Sequence, residues 1–289
     1  MIDLHIHTTA SADAHHPPRE IFAMSRDLEL RCIAFADHNT IDSVPEGLAL
    51  RSEFGVDFIT GVELNTDLDG RDIHLLGYGF DPGNPALHEW FGEIRARFRK
   101  VAVRRVARFV ALGLRLTIEQ VERRAHGKLP TGSSFLDALA EDAGNREHPL
   151  VRPYLQGPKA ENPYVNFYFD TMCNGGPADV GEAALPVIDC LARLRAIKAA
   201  PVVAHPRDLA EADLRVMVDA GLMGVEAFCS YHDAASARRW RDLAARYGLL
   251  VTAGSDFHGV RTKATVRLGG IDGNDDALAQ RLREAIAAL

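Results

Sequence analysis

Seven short apolar runs punctuate the chain, at 2–7, 32–37, 57–64, 72–79, 201–205, 223–228 and 249–255. Most are rich in Val, Ile or Phe, the composition of strands buried on both faces. Stretches with apolar residues every three to four positions lie between them, predicting helices over 18–29, 42–54, 207–220, 233–247 and 274–288. The Asp69-Gly70 pair between the third and fourth runs predicts a hairpin. Strand–helix alternation of this kind predicts an α/β fold, with a barrel favoured over an open sheet.

The alternation stops in the middle of the chain. A basic amphipathic stretch over 92–113 carries Arg95, Arg97, Arg99, Lys100, Arg104, Arg105 and Arg108. Helices are predicted at 117–126 and 133–143, then an irregular Pro-, Gly- and Asn-containing segment over 144–178, then a helix near 180–199. This reads as a barrel domain built from 1–97 and 198–289, with a mostly helical insertion over 98–197 attached to one face.

A length of 289 residues suits one α/β barrel with an insertion, and 47% hydrophobic with 25% charged residues is ordinary for a soluble globular protein. The net charge of -7 argues against a nucleic-acid polymer held by a broad basic surface. A small anionic substrate stays open, because bound metal ions bring their own positive charge. Cys32, Cys173, Cys190 and Cys229 show no CxxC spacing, which predicts reduced thiols in a cytoplasmic protein instead of a disulfide framework or zinc knuckle. The N-terminal segment lacks a signal-peptide pattern, and no apolar stretch approaches the ~20 residues of a bilayer span. No membrane partner is expected.

The first run reads Asp3-Leu4-His5-Ile6-His7, and residues two apart on a strand face the same side. Three polar groups on the inner face of a strand are costly unless paired, and a divalent cation is the simplest partner for two imidazoles at this spacing. An exposed edge strand with chance histidines would read the same way in isolation. The pattern recurs, however. The second run ends Phe35-Ala36-Asp37-His38, and the third ends Gly61-Val62-Glu63-Leu64. The fourth carries His74, the fifth ends Val203-Ala204-His205-Pro206, and the seventh ends Gly254-Ser255-Asp256-Phe257-His258. In an α/β barrel such ends converge on one face, so these side chains are expected to meet there.

These motifs resemble the PHP (polymerase and histidinol phosphatase) family of phosphoesterases. The matching segments are Asp-Leu-His-Ile-His-Thr at 3–8, Ala-Asp-His-Asn at 36–39, Gly-Val-Glu-Leu at 61–64, His-Leu-Leu-Gly-Tyr-Gly at 74–79, Ala-His-Pro at 204–206, Gly-Val-Glu-Ala at 224–227 and Gly-Ser-Asp-Phe-His at 254–258. The resemblance implies a distorted (β/α)7 barrel holding two or three divalent metal ions. By motif, His5, His7, Glu63 and Asp256 would hold the first ion. Glu63 would bridge to a second, completed by His74 and His205. Asp13, His38 and His258 would hold a third. In Ser11-Ala12-Asp13-Ala14-His15-His16-Pro17-Pro18, counting back from Pro18 selects Asp13, while His15 or His16 would serve if this chain follows relatives that use His.

Imidazole and carboxylate ligands accept Mn, Fe or Zn, with Mn expected here. Water bound between two such cations is a good nucleophile near neutral pH, so the expected activity is hydrolysis of a phosphate ester, with Glu63 and Asp256 central to it. Beyond Glu226, His232 occupies a loop position where relatives carry His, and it is a candidate for phosphate binding or leaving-group protonation. Arg207, just past the His205 strand end, suits a phosphate oxygen. The insertion resembles the helical insert of the family's small-molecule branch, but has Lys128-Leu129-Pro130 where relatives often carry Arg-Pro-His. Its basic face is either solvated or a ligand surface, and Asn162–Phe169 is either core or a sugar or base contact. The substrate class is a nucleotide or sugar phosphate, monoester or cyclic. The alternatives are an exonuclease or proofreading activity, and a non-catalytic metal or ligand module.

Overall fold

The computed structural model describes residues 1–173, 175–181 and 185–289. The first part of the chain gives β1 (Ile2–Ile6), α1 (Pro18–Asp27), β2 (Cys32–Phe35), α2 (Val44–Phe54), β3 (Asp57–Ile59), β4 (Gly61–Leu68) and β5 (Arg71–Tyr78). Six helices follow: α3 (Pro85–Ala111), α4 (Ile118–Arg124), α5 (Gly132–Leu139), α6 (Ala143–Glu147), α7 (Arg152–Gln156) and α8 (Pro163–Thr171). The remainder is β6 (Leu185–Pro186), α9 (Val187–Ala196), β7 (Ala200–Val203), α10 (Glu211–Asp219), β8 (Gly224–Cys229), α11 (Ala234–Tyr247), β9 (Leu250–Gly254) and α12 (Asp276–Ala287).

The fold is mixed α/β. Strands β1-β2-β3 form a parallel sheet, and β6-β4-β5-β7-β8-β9 form a second. Two isolated bridges link the sheets. Ile6 bridges Phe257 beyond β9, and His38 beyond β2 bridges Glu63 of β4, both in parallel sense. Strand β5 runs antiparallel to β4 and β7. The reason is local: Asp69 (φ 53) and Gly70 (φ 82) make a two-residue hairpin, and so short a connection can join only antiparallel strands. The third apolar run, expected as one strand, is interrupted at Thr60, whose hydroxyl donates to the Phe80 carbonyl.

Helix α3 is one 27-residue rod that serves two cores. Leu87, Trp90, Phe91 and Ile94 pack on the main core under the sheets. Ala102 and Phe109, further along, belong to a second cluster with Phe135, Leu139, Tyr154 and Phe167. The segment 144–178, expected to be irregular, contains α6, α7 and α8. Its prolines do not break these helices, because Pro153 and Pro163 stand in first turns, where no N–H is needed. Of the helix expected near 180–199, residues 182–184 lie outside the described residues, and the helix found runs Val187–Ala196. All four cysteines are buried and free, and among the described residues no helix is long and apolar enough to cross a membrane.

Candidate metal centre

Alternation along β1 turns Asp3, His5 and His7 the same way, but at different depths. Asp3 does not join the other two in a group that could hold an ion. It accepts from Ser255 N (2.8 Å), Ser255 Oγ (2.6 Å) and Gly269 N (2.8 Å), stitching β1 to the loops after β9. Burial pushes its carboxyl up to about 6, against the pull of those hydrogen bonds.

His5 and His7 are fully buried, and their Nε2 atoms lie 3.2 Å apart. His5 Nδ1 sits 3.1 Å from Glu226 Oε1 on β8. An ionised carboxylate only accepts, so the proton is on Nδ1 and the Nε2 lone pair points into the site. His7 repeats the device: Nδ1 faces Ser11 Oγ at 3.3 Å, and that hydroxyl donates to Asp37 Oδ1 at 2.9 Å. His258 donates Nδ1–H to its neighbour Asp256's carbonyl at 3.0 Å, leaving Nε2 free, and its ring stacks on His7 at 3.8 Å.

These lone pairs meet carboxylate oxygens. His7 Nε2 lies 3.2 Å from both Glu63 Oε2 and Asp256 Oδ1, and His5 Nε2 lies 3.4 and 3.5 Å from the same two atoms. Glu63, on β4, stands at the centre. Its Oε2 also faces His38 Nδ1 at 3.0 Å, while Oε1 faces His74 Nδ1 at 2.8 Å and His205 Nε2 at 3.1 Å. Three overlapping groups result: His5, His7, Glu63 and Asp256; His38, Glu63 and His74; and His7, His38 and His258. Asp13 Oδ2 is 3.8 Å from His38 Nε2, and its Oδ1 is 4.0 Å from His258 Nε2. His15 instead faces Thr262 Oγ1 at 2.8 Å, and His16 pairs with Glu20 at 3.1 Å.

The donor set fits divalent cations. Glu63 Oε2, Asp256 Oδ1, Asp13 Oδ1 and His38 Nδ1 are buried with no hydrogen-bond partner among the described residues. Buried anionic oxygens facing imidazole lone pairs repel unless a cation lies between them. Ligand atoms about 2.1 Å from one ion at tetrahedral angles lie about 3.4 Å apart, matching the 3.2–3.5 Å spacings around His5 and His7. Burial alone would raise Glu63, yet the positive charge that His74, His5 and His38 carry when protonated, the form His74 and His5 take when no cation holds their lone pairs, keeps its carboxyl well below the usual range. Burial, then His7 and Lys263, holds His258 well below the ordinary histidine value. His205 (φ 25) and Asp256 (φ 59) occupy left-handed backbone, strain that surrounding structure must hold in place.

A second layer aims these groups. Glu226 accepts from His205 N at 2.9 Å as well as from His5, tying two strand ends together. Tyr231 Oη (2.7 Å) and Lys263 Nζ both donate to Asp256 Oδ2, which leaves Oδ1 for the histidines. Asp37 takes Thr8 N (2.7 Å) and Ser11 N (3.2 Å), pinning the loop after β1. The sequence reading assigned no role to Glu226, Tyr231 or Lys263. The motif around Glu226, a carboxylate inside an apolar run, was a usable signal. Lys263, in an irregular loop seven positions past Asp256, offered none.

A cavity of about 530 Å³ opens beside the cluster, lined by His74, His205, His258 and Lys263 and, on its other side, by residues of α3, α5 and α8. The Arg207 guanidinium lines it, stacked 4.4 Å over the Tyr231 ring and 5.2 Å from Phe169. His232 is not brought to the cluster or to the cavity lining. Its Nδ1 donates to the Ala227 carbonyl at 2.9 Å and its ring stacks on Trp240 at 6.5 Å. The turn closed by His232 N on the Cys229 carbonyl gives the cavity position to Tyr231.

The fold and the site together define an α/β protein with a cluster of imidazoles and carboxylates at its strand ends that is suited to divalent metal ions. The PHP domain family model matches residues 3–126, and the full-length relatives of this chain are phosphoesterases. It is 27% identical, over 89% of its length and 94% of the relative's, to a phosphoribosyl 1,2-cyclic phosphate 1,2-diphosphodiesterase of Eggerthella lenta. It is 25% identical, over 89% of its length and 87% of the relative's, to a 3′,5′-nucleoside bisphosphate phosphatase of Chromobacterium violaceum. In fold it is similar to a candidate metal-dependent phosphoesterase of Bifidobacterium adolescentis, with a TM-score of 0.76 and 24% identity, covering 98% of this chain and 96% of that one.

Proposed function

We propose that this protein hydrolyses a phosphate ester of a small metabolite, a nucleotide or sugar phosphate, monoester or cyclic, at two or three divalent cations with Mn preferred. The observation that carries this reading is Glu63, a fully buried carboxylate whose two oxygens face different sets of imidazoles. His5, His7, Glu63 and Asp256 would hold the first ion; Glu63, His74 and His205 the second; Asp13, His38 and His258 the third. Cations bound there lower the pKa of water and neutralise charge on phosphoryl oxygens.

The chain's own groups supply positioning. Glu226 keeps the His5 proton on Nδ1, and Lys263 with Tyr231 directs Asp256. Arg207, with its guanidinium plane stacked on aromatic rings, presents forked donors to a phosphate oxygen. His232 is committed to Ala227 and is left out of the reaction. We read the two sheets as one closed, distorted (β/α)7 barrel of residues 1–97 and 198–289, a reading supported by the two bridges that link the sheets. Residues 98–197 would cap it and exclude water. The names of the two relatives support a phosphorylated ribose compound, and the net charge of -7 supports a small substrate over a nucleic-acid polymer. Buried free thiols support a cytoplasmic setting.

The test is phosphate release and ester opening by Mn-supplemented protein over nucleoside monophosphates, nucleoside bisphosphates, sugar phosphates and ribose cyclic phosphates. Turnover of one class at least tenfold above the others is expected. Full metal occupancy with no bond cleaved in any member would overturn the proposal.

A further inference from the structure

Arg105, on α3, is only 5% exposed and yet lines the same cavity as the metal-centre residues. A guanidinium carries five N–H donors and keeps its charge at any ordinary pH. One Nη donates to the Met172 carbonyl at 3.0 Å, whereas Nε is buried with no acceptor among the described residues. Among the described residues no carboxylate lies within ion-pair distance of it. Elsewhere on the same helix the chain does supply such partners, as in Arg95 with Asp42 and Arg99 with Glu122. A buried, unpaired charge is strongly destabilising.

Placement of the Arg105 charge beside the end of α8 accounts for the bond to Met172, but not for the unmet Nε or the position on the cavity wall. The surroundings are consistent with a ligand site. Tyr168, which feels the Arg105 charge, donates to Asp72 at 3.2 Å, and the first turn of α5, Thr131 to Ser133, lines the same space. A volume of about 530 Å³ is far more than a single phosphoryl group fills.

We propose that Arg105 binds a second oxyanion of the substrate on the α3–α8 side of the cavity, so that the natural substrate carries another phosphate or carboxylate besides the phosphoryl group at the metal centre. This rests on the phosphoesterase reading and narrows it to bis-anionic substrates. The forked donor set is complementary to either oxyanion.

The experiment compares wild type, Arg105→Met and Arg105→Lys, all Mn-loaded, on p-nitrophenyl phosphate, a nucleoside 3′-monophosphate, the matching 3′,5′-bisphosphate and 3-phosphoglycerate. For Arg105→Met, the loss of kcat/KM on the bisphosphate should exceed that on p-nitrophenyl phosphate at least tenfold, mainly through KM. Arg105→Lys should recover part of the difference, and it carries the comparison if Arg105→Met does not fold. A parallel loss on 3-phosphoglycerate assigns a general oxyanion site, and a loss confined to the bisphosphate assigns a phosphate site. Equal losses on all substrates, or none, would overturn the proposal. If wild type cleaves none of these four, the phosphoesterase reading is judged separately on its own wider panel. Calorimetric binding of the bisphosphate then decides the subsite: tenfold weakening in Arg105→Met supports it, and unchanged binding refutes it.

Discussion

Glu226→Gln isolates the second layer of the metal centre. The buried carboxylate accepts from His5 Nδ1 at 3.1 Å and from His205 N at 2.9 Å. Glutamine keeps its length and shape but has one accepting oxygen and one donating nitrogen. Either His5 or the His205 amide must then face a donor with a donor. An unmet buried donor costs about 1–3 kcal/mol, and 1.4 kcal/mol is about tenfold in affinity. His5 can escape by moving its proton to Nε2, but that blocks the nitrogen needed at the metal. Both routes predict Mn affinity about 10- to 100-fold weaker, the range usual for groups that orient metal ligands. The assay is dialysis against graded free Mn with bound metal measured by mass spectrometry, followed by turnover at saturating Mn. Turnover should recover to within about tenfold once the sites are filled. An Mn affinity within twofold of wild type would refute the claim that Glu226 sets the His5 tautomer.

Three further outcomes are expected. Glu63→Ala removes the carboxylate that faces five imidazoles, so metal binding and turnover should both be lost; normal turnover would rule out its bridging role. His232→Ala gives up one hydrogen bond to Ala227, about 1 kcal/mol, and should leave metal content full and turnover within about threefold, whereas a hundredfold fall in kcat would return that ring to the reaction. Gly254→Ala would place a methyl 2.2 Å from His5 Cβ and 2.5 Å from Glu226 Oε1, so thermal stability and Mn affinity should fall together, and a wild-type melting temperature would show that the strand end relaxes.

The sequence by itself determined most of the strand framework and the identity of the central side chains. Buried strands need unbroken apolar runs, and period-two geometry puts His5 and His7 on one side wherever β1 packs. The Asp69-Gly70 turn is equally local, and it dictates the reversed direction of β5. The ligand-type residues at the strand ends were legible for the same reason: a polar group inside an apolar run is visible along the chain. Tertiary structure decided how each is aimed. Nothing local pairs His5 with Glu226, 221 residues away, and that contact selects which nitrogen faces the site. Asp3 shares its spacing with His5 and His7 but is captured by Ser255 and Gly269. His232 and Tyr231 are neighbours in sequence, and a turn sends one to Trp240 and the other to the cavity. Arg105 is one of many arginines on a basic helix, and only the packing of α3 against α8 buries it and leaves its Nε without an acceptor among the described residues. Periodicity encodes which face a residue occupies, whereas tautomer, loop path and charge pairing follow from contacts between segments distant in the chain.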